Sequence, residues 1–225
     1  MTLALEMFAV APASGKANLS ALQQSLLSGK ARWLHAAAEA GLPTVPTIAI
    51  TRAAWEGLQQ ERKRGEDRLR THWVATLFRL VGRDGHPPHL VVRTSAEQHK
   101  QGLMSARVGL PPPASEAEAV DPRRPLARAI EDAFASYGDD TSLWTGPEKS
   151  TTREGQIVIV QAVAPGRLVE FLTRDPATGA LGPVVANGAA LPEGAAHLAR
   201  ALDAVAGQAL NCLVAIEGQT VRLVS

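Results

Sequence analysis

The stretch "LLSGKARWLHAAAEAGLPTVPTIAIT", Leu26–Thr51, decides how the chain is read. Ser28-Gly29 forms a small-residue turn, and Ala31 to Ala40 is alanine-rich with helical character. Gly41 and Pro43 stop that helix, since glycine accepts the left-handed backbone after a helix end and proline cannot continue one. Thr47 to Thr51 is apolar and β-branched enough for a strand. A turn, a helix and a strand in this order belong to mixed α/β architecture. The stretch also puts Lys30 at the mouth of the helix. Glycine before it lets a ligand approach the backbone, the helix start offers unpaired N–H groups, and an ammonium suits a phosphate. Helix-end punctuation in solvent is the plainer reading, because S-G-K lacks the full phosphate-loop pattern G-x-x-x-x-G-K-[ST].

Working outward, residues 3–10 suit a strand, and Asn18–Leu27 a short helical piece. Arg52 to about Gln60 starts a helix. "ERKRGEDR" is a mixed charge run of the kind found on solvated faces, and Leu69–Val81 has apolar residues at helical spacing. "GRDGHPP" reads as a loop and "HLVVRTS" as a buried strand. The proline-rich "VGLPPPASEAEAVDPRRP", Val108–Pro125, reads as a connection between lobes. Leu126–Tyr137 is helical, and "GDDTSLWTGPEKSTTREG" is a second long loop. "QIVIVQAV", "RLVEFLTRD" and "GPVVAN" are β-rich. Glu193–Gly207 is a helix, and the last residues form a hairpin turning at Glu217-Gly218-Gln219. The expected division is an α/β lobe over 1–110, a connecting region with one helix over 111–155 and a β-rich lobe over 156–225, with a ligand cleft between the lobes.

Composition narrows the function classes. With 45% apolar and 20% charged residues the chain can bury a core. A net charge of +1 and 4% aromatics give neither the basic field nor the stacking platforms of a nucleic-acid binder. No apolar run reaches the 18 residues of a membrane span, and the N-terminal segment lacks the basic start of a signal peptide. The single cysteine, Cys212, cannot form an intramolecular disulfide. A cytoplasmic setting is therefore expected, with Cys212 a core filler among leucines and valine.

Arg93 ends "HLVVRTSAE". A guanidinium at a strand end suits a phosphate, while an ion pair with Glu97 is the bland alternative. The loop "KQGLMSA", centred on Gly102, is either a lid or plain surface. "HPPH", His86–His89, has no carboxylate or cysteine at ligand spacing, so a metal site there is not expected.

These segments together resemble a family. The opening, from Lys30 to Gly41, Pro43, Pro46 and Thr51, is similar to the G-G-K-G-A-N-L helix and G-L-P-V-P-P-G-F strand of pyruvate, phosphate dikinase. "LVVRTSAEQHKQGLM" resembles that family's V-R-S-G-A loop and G-M-M segment. "IVQAVAPGRLVEFLTRDPATGALG" resembles its V-Q-x-M-V-x-G and F-T-R-[ND]-P-x-T-G-E run, and "VAIEGQTVRLVS" its closing hairpin. The resemblance covers most of the chain in the right order. It implies the family's nucleotide-binding domain, a two-lobed ATP-grasp-like fold shared with PEP synthase and rifampin phosphotransferase. It further implies ATP as ligand, Lys30 and Arg93 on its phosphates, the Gly102 loop over them, and Gln161, Ala162 and Val163 beside the adenine. In the family, phosphate passes to a histidine on a separate swivelling domain. No carrier motif occurs here, so a partner protein with the phosphohistidine or PEP-binding domain is implied.

The departures concern magnesium, which takes oxygen ligands including one or two carboxylates. The family's acidic positions fall near Leu213 and Pro183 and at Ser105, its final L-Q-T-R becomes Leu223-Val224-Ser225, and only Glu217 or Asp203 stand nearby. Three readings stay open: the ATP-binding component of a split phosphotransferase, a catalytically degenerate relative binding nucleotide or protein, and a scaffold without ligand.

Overall fold

The computed structural model describes residues 7–13, 17–66, 68–81, 89–96, 106–137, 156–185 and 190–225. It shows a mixed helix–sheet protein of two units, with 1–32 and 46–163 in the first and 33–45 and 164–225 in the second.

The first unit is built on a five-stranded antiparallel sheet. Its strands are β1 (Met7–Ala11), β2 (Thr47–Thr51), β3 (Leu90–Thr94), β4 (Arg107–Leu110) and β5 (Ile157–Ala162), ordered β1-β2-β5-β3-β4. Central β5 is buried along its whole length, which suits its β-branched run. One face carries Met7, Ile48, Ile50, Leu90, Val92, Val158 and Val160. Packed on it are helices α3 (Arg52–Arg64), α4 (Arg68–Val81), α5 (Glu116–Val120) and α6 (Pro125–Ala135). In that core Trp55 and Trp73 meet edge to face at 6.3 Å, and the Trp73 indole N–H donates to the Ala119 carbonyl at 3.0 Å.

Local chemistry places the helix ends. Before α1 (Ala21–Leu26), Ser20 and Gln23 exchange side-chain and backbone bonds in a capping box. Thr51 caps α3, which runs on through "ERKR" and stops at Gly65 with φ 74°. The charge run is thus the last turn of a helix and its exit. The expected strand, helix and strand at Thr47–Thr51, Leu69–Val81 and "HLVVRTS" are β2, α4 and β3.

Two boundaries differ from those expected. The proline-rich segment contains β4 and α5, whose Ala119 and Val120 are buried in the first unit's core, as is α6. Residues 106–137 are therefore part of that unit, not a connection. "QIVIVQA" likewise belongs to the first sheet, its register running Thr47↔Gln161 on one side and Val91↔Gln161 on the other. The segment 138–155, expected as a loop, lies outside the described residues.

The second unit has its own antiparallel sheet, ordered β7-β6-β8-β9. Its strands are β6 (Arg167–Arg174), β7 (Leu181–Val184), β8 (Asn211–Glu217) and β9 (Thr220–Leu223), with α7 (Glu193–Ala206) packed against β6 and β7. The closing hairpin pairs Val214↔Leu223 and Ile216↔Val221 as expected, turning at Gly218-Gln219 with Gly218 at φ 57°. This unit is discontinuous. The Val45 N–H donates to the Leu223 carbonyl at 2.9 Å, the Leu223 N–H donates to Pro43 at 2.8 Å, and Val45 packs with Ala215 and Val224. Helix α2 (Gly29–Glu39) carries the chain from the first unit into this segment. Among the described residues, no helix is long and apolar enough to cross a membrane.

Candidate functional site

Arg93 sits near the end of β3, opposite Ile159 of β5. Side chains alternate along a strand. Val92 and its neighbours Val158 and Val160 face the helix-covered core, so Arg93 points from the other face of the sheet. Two residues on, Ser95 is fully buried and meets the start of α2. Its hydroxyl donates to the Ser28 carbonyl at 2.7 Å and accepts from the Ala31 N–H at 2.8 Å. In return the Ser28 hydroxyl donates to the Ser95 carbonyl at 3.0 Å. Ser95 thus caps a helix 64 residues away in sequence, satisfying an N–H that the helix itself cannot pair. Gly29, with φ 49°, lets the chain turn into α2 between the two serines' contacts.

Behind this clasp stands Tyr137, the only tyrosine of the chain. Its hydroxyl accepts from the Ser95 N–H at 2.9 Å and donates to the Ile157 carbonyl at 2.7 Å. Burial pushes the phenol well above its ordinary range, so it stays neutral and able to donate.

Lys30 and Arg93 flank this clasp, near enough for the Arg93 charge to act on Lys30. Both are partly buried. The Lys30 ammonium is held below its ordinary pKa first by burial and then by the Arg93 charge, and burial also lowers Arg93. Two adjacent cations with no carboxylate partner among the described residues form a site short of negative charge. The Arg93 Nε is buried without a hydrogen-bond acceptor among the described residues, and an unmet donor of this kind is costly. A phosphate oxygen would satisfy it.

Gln161 lies on the same sheet face as Arg93, because Gln161 opposes Val91, two residues earlier in β3. That is a displacement of about 7 Å along the strand. It is buried, and its amide donates to the Thr47 hydroxyl at 3.0 Å. The Ala162 N–H donates to Pro46 at 3.0 Å and the Val163 N–H to His89 at 2.7 Å. Both amides expected beside an adenine are therefore engaged with the protein's own carbonyls. Gly102, with Glu97 and Ser105, lies outside the described residues, as does His86 of "HPPH".

Neither candidate magnesium carboxylate stands free. Asp203, on α7, is 4% exposed and takes a two-pronged bond from Arg174 at 2.5 and 2.7 Å, with the Thr173 hydroxyl at 3.4 Å. The arginine holds its carboxyl below the usual range. Glu217 pairs with Arg222 at 3.3 Å across the exposed hairpin. Among the described residues, no group of three or more histidine, cysteine or acidic side chains could hold a metal ion. Cys212 is buried opposite Phe171, with its thiol pushed up to about 12, and is inert packing.

Two motifs that carried the resemblance have structural work of their own. In "TRDPATG" the Asp175 carboxylate accepts the Ala177 and Thr178 N–H groups at 2.7 and 3.0 Å, and Gly179 takes φ 72°, forming the turn after β6. In "APG", a Cβ on Gly166 would fall 2.2 Å from the Ile216 carbonyl oxygen, so only glycine fits. Ser95, Tyr137 and Thr47 are the site residues that sequence reasoning passed over. Two signs were available, a hydroxyl directly after a buried strand and a lone tyrosine closing a helix. No protein-family model matches the chain, and no curated protein matches it.

Proposed function

We propose that the first unit binds the phosphates of a nucleotide, ATP or ADP, as the nucleotide-binding component of a phosphotransferase of the pyruvate, phosphate dikinase type. The observation that carries this reading is the convergence of Lys30 and Arg93, two partly buried cations without a carboxylate partner among the described residues. An anion relieves their repulsion and meets the Arg93 N–H. The ATP-grasp-like comparison rests on the motif order along the chain, and a partner chain would supply the phosphohistidine. Lys30 and Arg93 hold the phosphates, and Gln161 borders them on the same face.

A second reading is favoured by one observation. Asp203 is consumed by Arg174, and no metal-holding cluster exists among the described residues. In phosphoryl transfer the metal supplies much of the charge stabilisation. A chain that binds nucleotide without magnesium ligands would act as a catalytically degenerate subunit, recognising nucleotide or a protein partner.

Calorimetry with ATP, ADP and adenosine, with and without Mg²⁺, tests the proposal. Lys30→Ala should weaken ATP binding roughly ten- to a hundredfold, since a hydrogen bond to a charged group is worth about 1.5–3 kcal/mol, and leave adenosine unchanged. Undetectable binding of both nucleotides to the folded protein at millimolar concentration overturns the proposal.

A further inference from the structure

We infer that the Ser28–Ser95 clasp is the positioning element of the anion site: it sets the separation of Lys30 and Arg93, and so the site's affinity for phosphate. This inference rests on the nucleotide reading for its ligand, though not for its geometry. Lys30 and Arg93 lie on different elements that no covalent neighbourhood joins. Ser95 stands two residues from Arg93 and bonds Ala31, the residue after Lys30, at 2.8 Å. Two hydroxyl–carbonyl bonds between Ser28 and Ser95, at 2.7 and 3.0 Å, lock the helix start to the strand end from both sides. All the groups involved are buried. Tyr137 pins the same Ser95 backbone to Ile157 of β5, so the clasp is anchored to the sheet as well as to the helix.

Without the clasp, three hydrogen bonds that oppose the repulsion between the two cations are lost. The start of α2 would move from β3, Lys30 would leave the neighbourhood of Arg93, and a phosphate would meet one cation at a time. Holding both charges in place before the ligand arrives is preorganisation, whose cost is met in folding rather than in binding.

The test uses the full chain with Ser95→Ala and Ser28→Ala. Ser95→Ala removes a donor and an acceptor at a buried site. Ser28→Ala removes the donor to the Ser95 carbonyl and leaves both bonds of the Ser95 hydroxyl in place, which keeps the experiment decisive where the first variant does not fold. Two readouts are needed. One is the affinity for ATP against that for adenosine. The other is the titration of Lys30, followed by NMR of ¹³C-methylated lysines and assigned with Lys30→Ala. ATP affinity should fall about tenfold for Ser95→Ala and about threefold for Ser28→Ala, adenosine affinity should hold, and the Lys30 titration should move up toward its ordinary value as Arg93 recedes. A residue with a merely structural role would lower stability without moving that titration. Folded variants with wild-type ATP affinity and an unmoved Lys30 titration overturn the inference. Failure of the wild type to bind ATP instead sinks the nucleotide proposal, and the Lys30 titration still decides the clasp, because it requires no ligand.

Discussion

Lys30 and Arg93 oppose the folding of the unit that holds them. Each loses solvent, and Lys30 also feels the Arg93 charge. A lysine held below its ordinary value of 10.5 binds fewer protons folded than unfolded in the interval between the two values. Stability therefore rises as pH climbs through that interval, and the full cost is felt below it. Lys30→Met should accordingly raise the thermal midpoint at pH 7 by a few degrees, and its stability should lose the alkaline rise seen in the wild type, while ATP binding weakens. A lower midpoint for Lys30→Met, measured by thermal unfolding, would mean that the ammonium has an attractive partner. Lys30 and Arg93 could be singled out in the sequence because a helix start and a strand end are local features. Ser95 could be seen only as a hydroxyl after a buried strand, because its partner, the start of a helix 64 residues away, is not a local feature.

At the scale of the element, β6 and α7 of the second unit are tied by Arg174 and Asp203. The two partners differ in exposure, with side chains 38% and 6% exposed. Removing the arginine leaves a buried carboxylate with one weak hydroxyl contact, whereas removing the carboxylate leaves an arginine that water can reach. Arg174→Met should therefore destabilise the second unit more than Asp203→Asn does, as read by thermal unfolding at neutral pH. Equal losses would show that Asp203 is hydrated. Because the arginine lowers the Asp203 pKa, this tie is fully present above the ordinary value of 3.8 and is lost as pH falls through the lowered one. The strand β5 shows where reading by elements stops. A run such as "QIVIVQA" announces a buried strand, yet nothing within it says which sheet it enters. It stands beside β6 in sequence and pairs with β2 and β3 in space. The same limit hid α5, which follows Pro111–Pro113 and reads as a connection until Ala119 and Val120 are seen in the core.

For the whole molecule, the discontinuity of the second unit governs how it can be divided. Residues 164–225 lack Pro43–Val45, which bond Leu223 and pack Val45 on Ala215 and Val224. A fragment of 164–225 should give the poorly dispersed NMR spectrum of an unfolded chain, and one carrying 33–45 on a flexible linker should fold. Good dispersion from the shorter fragment would show that the added segment is dispensable. Two units exist, as the change of texture in the sequence suggests, but the chain passes between them within α2, after Val45 and after Val163, not in the proline-rich region. The bonds between Pro43–Val45 and β9 also impose a timetable. Leu223 leaves the ribosome about 180 residues after Val45, a wait of roughly 10–40 s at ordinary translation speeds. Until then Pro43–Val45 lacks its partner strand, and the second unit is completed only when β9 is made.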